Sequence, residues 1–157
     1  MPTVALVEFV AAYTREAKAK SVATVRVSSR AGWLLPAHGT SGGKVLLAAL
    51  SREARDRLYP EGRLAGTAAR TTTTREALET ELVMVATRGY ATNFEESEVG
   101  LSAIGVLVRD PEGWPLAAIS VSAPASCLSE GRVLQYVDAA RRAAGWVELY
   151  LRCRAVG

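Results

Sequence analysis

The sequence has little of what membrane spans, disulfide frameworks and metal centres require. Its 157 residues include two cysteines and one histidine, and its apolar runs stop well short of the roughly 18 residues of a membrane-spanning helix. Two cysteines cannot form a disulfide framework, and no charged-then-apolar leader opens the sequence, so we expect a cytoplasmic protein that does not bind the membrane. His38, Cys127 and Cys153 lack the spacing of metal ligands, so neither a metal nor a cofactor is expected.

A strong charge of one sign is missing as well. The net charge is +3 and the pI is about 9.1, but the basic residues are scattered and most have an acidic neighbour, as on a solvated surface. No pair of helices with a basic second helix indicates a DNA-reading motif. The length and the 49% hydrophobic content favour a single domain over residues 1–157 with its own core.

The periodicity of apolar residues indicates both strands and helices. Alternating or continuous apolar runs predict strands at residues 3–10, 22–27, 90–92, 101–108 and 114–122. Helical spacing and capping residues predict helices at 45–50, 52–58, 73–88 (with a Thr73–Glu76 capping box) and 129–151 (with Ser129 as the cap). The order of these elements indicates an α+β domain built on an antiparallel sheet.

A loop rich in glycine and hydroxyl residues precedes the first predicted helix. Residues 39–44 read Gly-Thr-Ser-Gly-Gly-Lys. Unpaired N–H groups at a helix start, together with the helix dipole, favour an anion, so this loop could bind a carboxylate or a phosphate. Simple capping of the helix with nothing bound explains the same composition.

The same loop nearly matches catalytic motifs. Three residues rather than four separate Gly39 from Gly43, and Val45 follows Lys44, so a phosphate-binding P-loop is not indicated. The letters of a G-x-S-x-G nucleophile elbow are present around Ser41, but the single histidine, His38, precedes it. A serine esterase-like hydrolase using Ser41 therefore stays an alternative, and catalysis is not the expected function.

Two serines share one face of the last predicted strand. Alternation places Ser120 and Ser122 beside each other, in line with Ala118. Small side chains leave room and hydroxyls orient a ligand, as a polar pocket on a sheet requires. Serines that merely face water near a strand end would give the same pattern.

Several motifs in order resemble the effector-binding domain of IclR-type transcriptional regulators. The motifs are RVSSRAG at 26–32, LPAHGTSGGKVLLA at 35–48, the threonine run at 71–74, RGYA at 88–91, EE at 95–96, VGL at 99–101 and AAISVSAP at 117–124. The resemblance covers essentially the whole chain.

The resemblance implies a GAF-like fold, in which a curved antiparallel sheet is flanked by helices. It also implies a small-molecule effector, commonly an organic acid, and a homodimer or homotetramer. In this family DNA is bound by an N-terminal winged helix-turn-helix domain, which this chain lacks, so DNA is a partner only through a domain outside it.

The family's ligand-binding positions fall on nine residues of this sequence. The resemblance implies carboxylate-binding amides at Ser41 and Gly42, apolar walls at Val27, Leu35 and Leu101, polar contacts at Ser120 and Ser122, and departures from the family at Asn93 and Ala103. Many members have an acidic residue at the position of Asn93 and a cysteine at that of Ala103. The neutral amide and the smaller side chain favour a larger or aromatic carboxylate over a small keto acid.

A ligand-free dimerisation module is a further alternative. The predicted 129–151 helix carries one apolar stripe, including Val133, Val137 and Ala140, which could form a partner surface. Stabilisation by an organic acid would distinguish a sensor from such a module.

Overall fold

The structure, a computed structural model, describes residues 3–5, 34–60 and 62–155 of the chain. The strands are β1 (Thr3–Ala5), β2 (Leu34–Pro36), β3 (Ala91–Phe94), β4 (Leu101–Arg109) and β5 (Pro115–Pro124). The helices are α1 (Ser41–Ala48), α2 (Arg52–Leu58), α3 (Arg75–Arg88) and α4 (Val133–Ala155), with 3-10 turns at Ala37–Gly39 and Glu130–Arg132. Of the predicted strand at 3–10 only Thr3–Ala5 is described, and the predicted strand at 22–27 lies outside the described residues.

The main sheet has the strand order β3-β4-β5, and both pairings are antiparallel. A separate two-stranded sheet joins β1 to β2. The α+β class with an antiparallel sheet is confirmed. Strand β4 is buried along most of its length, as its apolar character on both faces predicts.

Each face of the sheet packs against a different helix. On one face Leu107 and Ala118 pack against Val45 of α1. On the other face Ile104, Val106 and Val108 pack in two clusters with the apolar side of α4. Since side chains alternate along a strand, Ala103, Gly105, Ser120 and Ser122 share the α1 face.

The apolar stripe of α4 is covered by the sheet. Val133, Val137, Ala140 and Ala144 are buried, the last two against β4. The interpretation of these residues as a partner surface was wrong, because their side chains form the domain's own core.

Local capping explains where the helices begin. Helix α1 begins four residues before the predicted start because the Thr40 hydroxyl accepts a hydrogen bond from the N–H of Gly43 at 3.0 Å. Ser51 caps α2 as predicted. The predicted capping box at Thr73 was wrong by one residue, since the hydroxyl of Thr74 caps α3. Ser129 makes no side-chain cap, because a 3-10 turn precedes α4.

A charged pair joins α2 to α3. The Arg55 guanidinium donates to the Glu79 carboxylate from Nε at 3.0 Å and from Nη2 at 2.8 Å. These hydrogen bonds hold the pKa of Glu79 below its ordinary value of 4.5. A carboxyl whose pKa falls on folding stabilises the fold above that ordinary value, and the contribution is lost as the pH falls through the folded-state pKa.

Replacing Glu79 with glutamine is therefore expected to lower the free energy of unfolding at neutral pH more than at pH values below 4.5. Urea unfolding at both pH values measures the difference. Glu112→Gln, in the exposed turn before β5, is the control and should change neither value. Equal losses at both pH values for the Glu79 variant would contradict the ion-pair account.

Candidate functional site

The start of helix α1 lies directly on the sheet. A Cβ built on Gly105 of β4 would lie 2.5 Å from the carbonyl carbon and oxygen of Ser41. A Cβ on Gly42 would lie 2.9 Å from the Ser120 Oγ of β5. Glycine at positions 42 and 105 is what allows the helix backbone to approach the strands this closely.

Ser41, Gly42 and Ser120 meet at this contact. The Ser41 hydroxyl donates to the Ser120 Oγ at 3.3 Å, so groups 79 residues apart in sequence become neighbours. In an α-helix the N–H groups of the first turn have no intrahelical acceptor, and Thr40 satisfies only that of Gly43. The amides of Ser41 and Gly42 therefore have no acceptor within the helix, and both residues are buried at this contact. The resemblance to IclR-type regulators implied this juxtaposition.

A second row of predicted residues crosses the sheet beside this contact. Ala103 pairs with Asn93 on one side and with Ser122 on the other. Ala103 and Asn93 are buried, whereas Ser122 is half-buried. The row places Ser122 two residues along β5 from Ser120, on the same face.

The side chain of Asn93 is occupied by the protein itself. Its Nδ2 donates to the Gly39 carbonyl at 2.8 Å and to the Ser97 hydroxyl at 3.1 Å, and its Oδ1 accepts from the N–H of Glu96 at 2.9 Å. These bonds join the loop after β3 to the turn before α1. In this arrangement the Asn93 amide supports the site through hydrogen bonds within the protein.

The remaining predicted wall residues within the described part of the chain lie on strands β2 and β4. Leu35 belongs to β2, where it pairs with Val4 in the separate small sheet. Leu101 is the first residue of β4 and pairs with Pro124. Both leucines are half-buried, and Val27 lies outside the described residues.

Sequence reasoning missed Lys44, whose side chain is 0% exposed. Its Nζ donates to Glu81 Oε1 of α3 at 2.6 Å and to Glu96 Oε2 at 2.7 Å. The Glu96 side chain is therefore mostly buried in an ion pair with Lys44. The available signal was the position of Lys44, three residues before the buried Leu47 on the inner side of α1.

The loop after β3 is fixed from several directions. The hydroxyls of Thr67 and Thr71 donate to the carbonyl of Glu96 at 3.0 and 2.5 Å. Together with Lys44 and Asn93, these bonds tie the loop to the start of α1. The start of α1, with the donors of the site, is therefore connected to this loop by several hydrogen bonds.

Within the described part of the chain, the structure does not pair the Ser41 hydroxyl with a general base. The His38 Nε2 lies 2.8 Å from the Ala65 carbonyl, and its ring packs edge-on against Tyr59. Burial raises the pKa of the Tyr59 hydroxyl, which keeps it a neutral phenol. The hydrogen bond of the Ser41 hydroxyl goes to another serine, so this geometry does not activate it as a nucleophile.

Among the described residues, no group of three or more His, Cys, Asp or Glu side chains could hold a metal ion. Of the helices in that part of the chain, none combines the length and the apolar character needed to cross a membrane. A cavity of about 460 Å³ lies elsewhere, along the second half of α1, and no predicted site residue lines it.

Comparison with known proteins identifies the family of this fold and site. The family model described as the bacterial transcriptional regulator IclR C-terminal domain matches residues 13–148. The chain belongs to this family. The resemblance seen in the sequence motifs is thereby confirmed.

Among curated proteins of the IclR family, the chain is similar to the HTH-type transcriptional regulator KdgR of Escherichia coli strain K12. The two are 37% identical over 120 residues, which cover 76% of this chain and 46% of KdgR. The chain thus spans less than half the length of this regulator.

Solved structures of the IclR family share the fold. One is the inducer-binding domain of a PobR double mutant from Acinetobacter in complex with 3-hydroxybenzoic acid (TM-score 0.72, 30% identity, covering 79% of this chain and 73% of that chain). Another is an IclR homolog of Microbacterium hydrocarbonoxydans in complex with 4-hydroxybenzoate (TM-score 0.71, 29% identity, covering 82% of this chain and 51% of that chain).

Proposed function

We propose that this chain senses a small carboxylate effector and that the carboxylate binds at the start of α1. The observation that carries the proposal is the meeting of Ser41 and Gly42 with Ser120, whose hydroxyl lies 3.3 Å from that of Ser41. First-turn amides and two hydroxyls there can donate to the same pair of oxygens. A bound carboxylate replaces the Ser41–Ser120 hydrogen bond with bonds of its own.

The electrostatics at the start of helix α1 favour a ligand with a single negative charge. The helix dipole places partial positive charge on the amides of Ser41 and Gly42. Lys44 is the nearest cation along the helix, but its ammonium is paired with both Glu81 and Glu96, so it adds no net positive charge at the helix start. Since only neutral donors face the ligand, a carboxylate suits the site better than a more highly charged phosphate.

The neighbouring side chains support an effector larger than a keto acid. Ala103 is small and lies between Asn93 and Ser122, so the sheet floor beside the hydroxyls carries little bulk. Two solved domains of similar fold hold 3-hydroxybenzoic acid and 4-hydroxybenzoate. We therefore propose an aromatic carboxylate as the effector class.

At the level of the regulator, residues 1–157 form the effector-binding domain. DNA binding belongs, in this proposal, to a separate winged helix-turn-helix domain, and the sensing domain assembles as a homodimer or homotetramer in the cytoplasm. An effector can then act by preferring one subunit arrangement over another, because only differential affinity shifts such an equilibrium.

Replacing Ser120 with alanine is expected to weaken 4-hydroxybenzoate binding about tenfold, the loss typical of one hydrogen bond to a charged group. Isothermal titration calorimetry on the wild type and the variant measures the affinity. Ser126→Ala, which removes an exposed hydroxyl outside the site, is the matched control and should bind like the wild type.

Two results would count against this function. If the Ser120 and Ser126 variants bound 4-hydroxybenzoate with equal affinity, the Ser120 hydroxyl would not contact the ligand. Absence of thermal stabilisation by a panel of aromatic and aliphatic carboxylates would favour a ligand-free dimerisation module, because ligand at a hundredfold over its Kd adds about 2.7 kcal/mol.

A further inference from the structure

We propose that the cavity along the second half of α1 is a second small-molecule site, which takes an amphipathic carboxylate with an apolar body. The proposal does not depend on the effector site at Ser41 and Ser120. That site lies at the start of α1, whereas the cavity is lined by Val45, Ala48 and Ala49 in the second half of α1 and at its C-terminal end.

Small apolar side chains create this space. The cavity measures about 460 Å³, within the range of about 300 to 1,000 Å³ that is usual for small-molecule pockets. Helices α1, α3 and α4 and the end of β4 contribute the walls. The apolar lining includes Ala48, Val85, Ala86, Leu107 and Ala144.

An open strand edge supplies polar groups to the cavity. Strand β3 begins at Ala91, which pairs with Gly105, so the residues of β4 after Gly105 have no strand beside them among the described residues. On this edge the Leu101 carbonyl accepts from Glu95, and the N–H of Arg109 donates to Glu148 Oε1 at 2.9 Å.

The two-residue alternation of the ladder places the N–H and the C=O of Leu107 on the same edge as those of Leu101 and Arg109. Leu107 lines the cavity. Backbone polar groups that are removed from water at the lining of a cavity need a partner, which a ligand or a water can provide.

The charges at the rim select an anion. Arg109 and Arg141 line the cavity with one acid, Glu148, whose Oε1 already accepts from the Arg109 amide. The Arg141 Nη2 donates to the Arg88 carbonyl at 3.0 Å, which leaves other guanidinium donors for a ligand. A carboxylate can therefore bind the Leu107 N–H and Arg141 while its apolar part fills the space between the helices.

Gly145 provides a way to close the cavity without unfolding the protein. Arg141, Ala144, Gly145 and Glu148 line it from one face of α4, and a Cβ built on Gly145 meets no atom within 4 Å. Gly145→Leu therefore projects a side chain into open space and also replaces a poor helix former.

The test is a titration with 2-naphthoate followed by amide NMR of the ¹⁵N-labelled protein. We expect shifts of the amides of Gly89, Leu107 and Gly145, which are lost in Gly145→Leu and kept in the control Gln135→Leu on an exposed position of the same helix. Arg141→Met is expected to weaken the 2-naphthoate affinity measured from these shifts about tenfold. Thermal melts check that each variant is folded.

The two sites give separable outcomes. Ser120→Ala should leave the shifts around Leu107 unchanged, so a failed effector site does not affect this result. Shifts confined to Ser41 and Gly42, no shifts at Leu107 at saturating 2-naphthoate, or full binding by folded Gly145→Leu would overturn the second site.

Discussion

Replacing Lys44 with methionine is expected to destabilise the domain by about 3–5 kcal/mol, the cost of breaking a buried ion pair from one side. The Lys44 ammonium holds the carboxylates of Glu81 and Glu96 at 2.6 and 2.7 Å, and its side chain has no exposure to water. Without it, two carboxylates would face each other unpaired. The expected loss is a large part of the roughly 5–15 kcal/mol by which domains are stable.

Urea unfolding measures this loss, and a triple variant provides the control. Lys44→Met combined with Glu81→Gln and Glu96→Gln removes all three charges, so it should recover much of the stability. A loss below about 1 kcal/mol in the single variant would show that the triad acts like an exposed ion pair.

Replacing Gly105 with alanine is expected to cost about 3 kcal/mol, at the upper end of the usual range for overpacking. The new Cβ would lie 2.5 Å from the Ser41 carbonyl and 2.8 Å from the Gly42 nitrogen. Both are backbone atoms, so no side-chain rotation can relieve the contact. Helix α1 must move away from the sheet, and the donors of the effector site move with it.

Thermal unfolding and 4-hydroxybenzoate affinity should therefore fall together in the Gly105 variant. Gly145→Ala is the matched control, because its Cβ meets nothing within 4 Å, and it should stabilise the domain by up to about 1 kcal/mol. An unchanged melting temperature for Gly105→Ala would contradict the close packing of α1 on β4.

The sequence was most informative where structure follows from local pattern. The run at 101–108 is apolar on both faces and forms the buried strand Leu101–Arg109. Alternation placed Ser120 and Ser122 on one face, and the glycine-rich loop at 39–44 indicated a helix start, whereas the amides of Ser41 and Gly42 were implied by the resemblance to IclR-type regulators. Helix boundaries depended on which of two neighbouring hydroxyls made the cap, as at Thr73 and Thr74.

What could not be predicted depends on contacts between distant segments. Lys44 lies 37 and 52 residues from its two acidic partners, so the local periodicity of the sequence cannot predict the pairing. The cavity lies where β4 continues to Arg109 beyond Gly105, the partner of the first β3 residue, Ala91, and this difference in extent appears only once the strands are paired.

The most direct test of carboxylate sensing at the start of α1 is a crystal structure of the protein with 4-hydroxybenzoate. The account predicts carboxylate oxygens within hydrogen-bonding distance of the N–H groups of Ser41 and Gly42 and of the Ser120 hydroxyl. A carboxylate bound only at the Leu107 edge, or a start of α1 that keeps its Ser41–Ser120 hydrogen bond at saturating ligand, would contradict it.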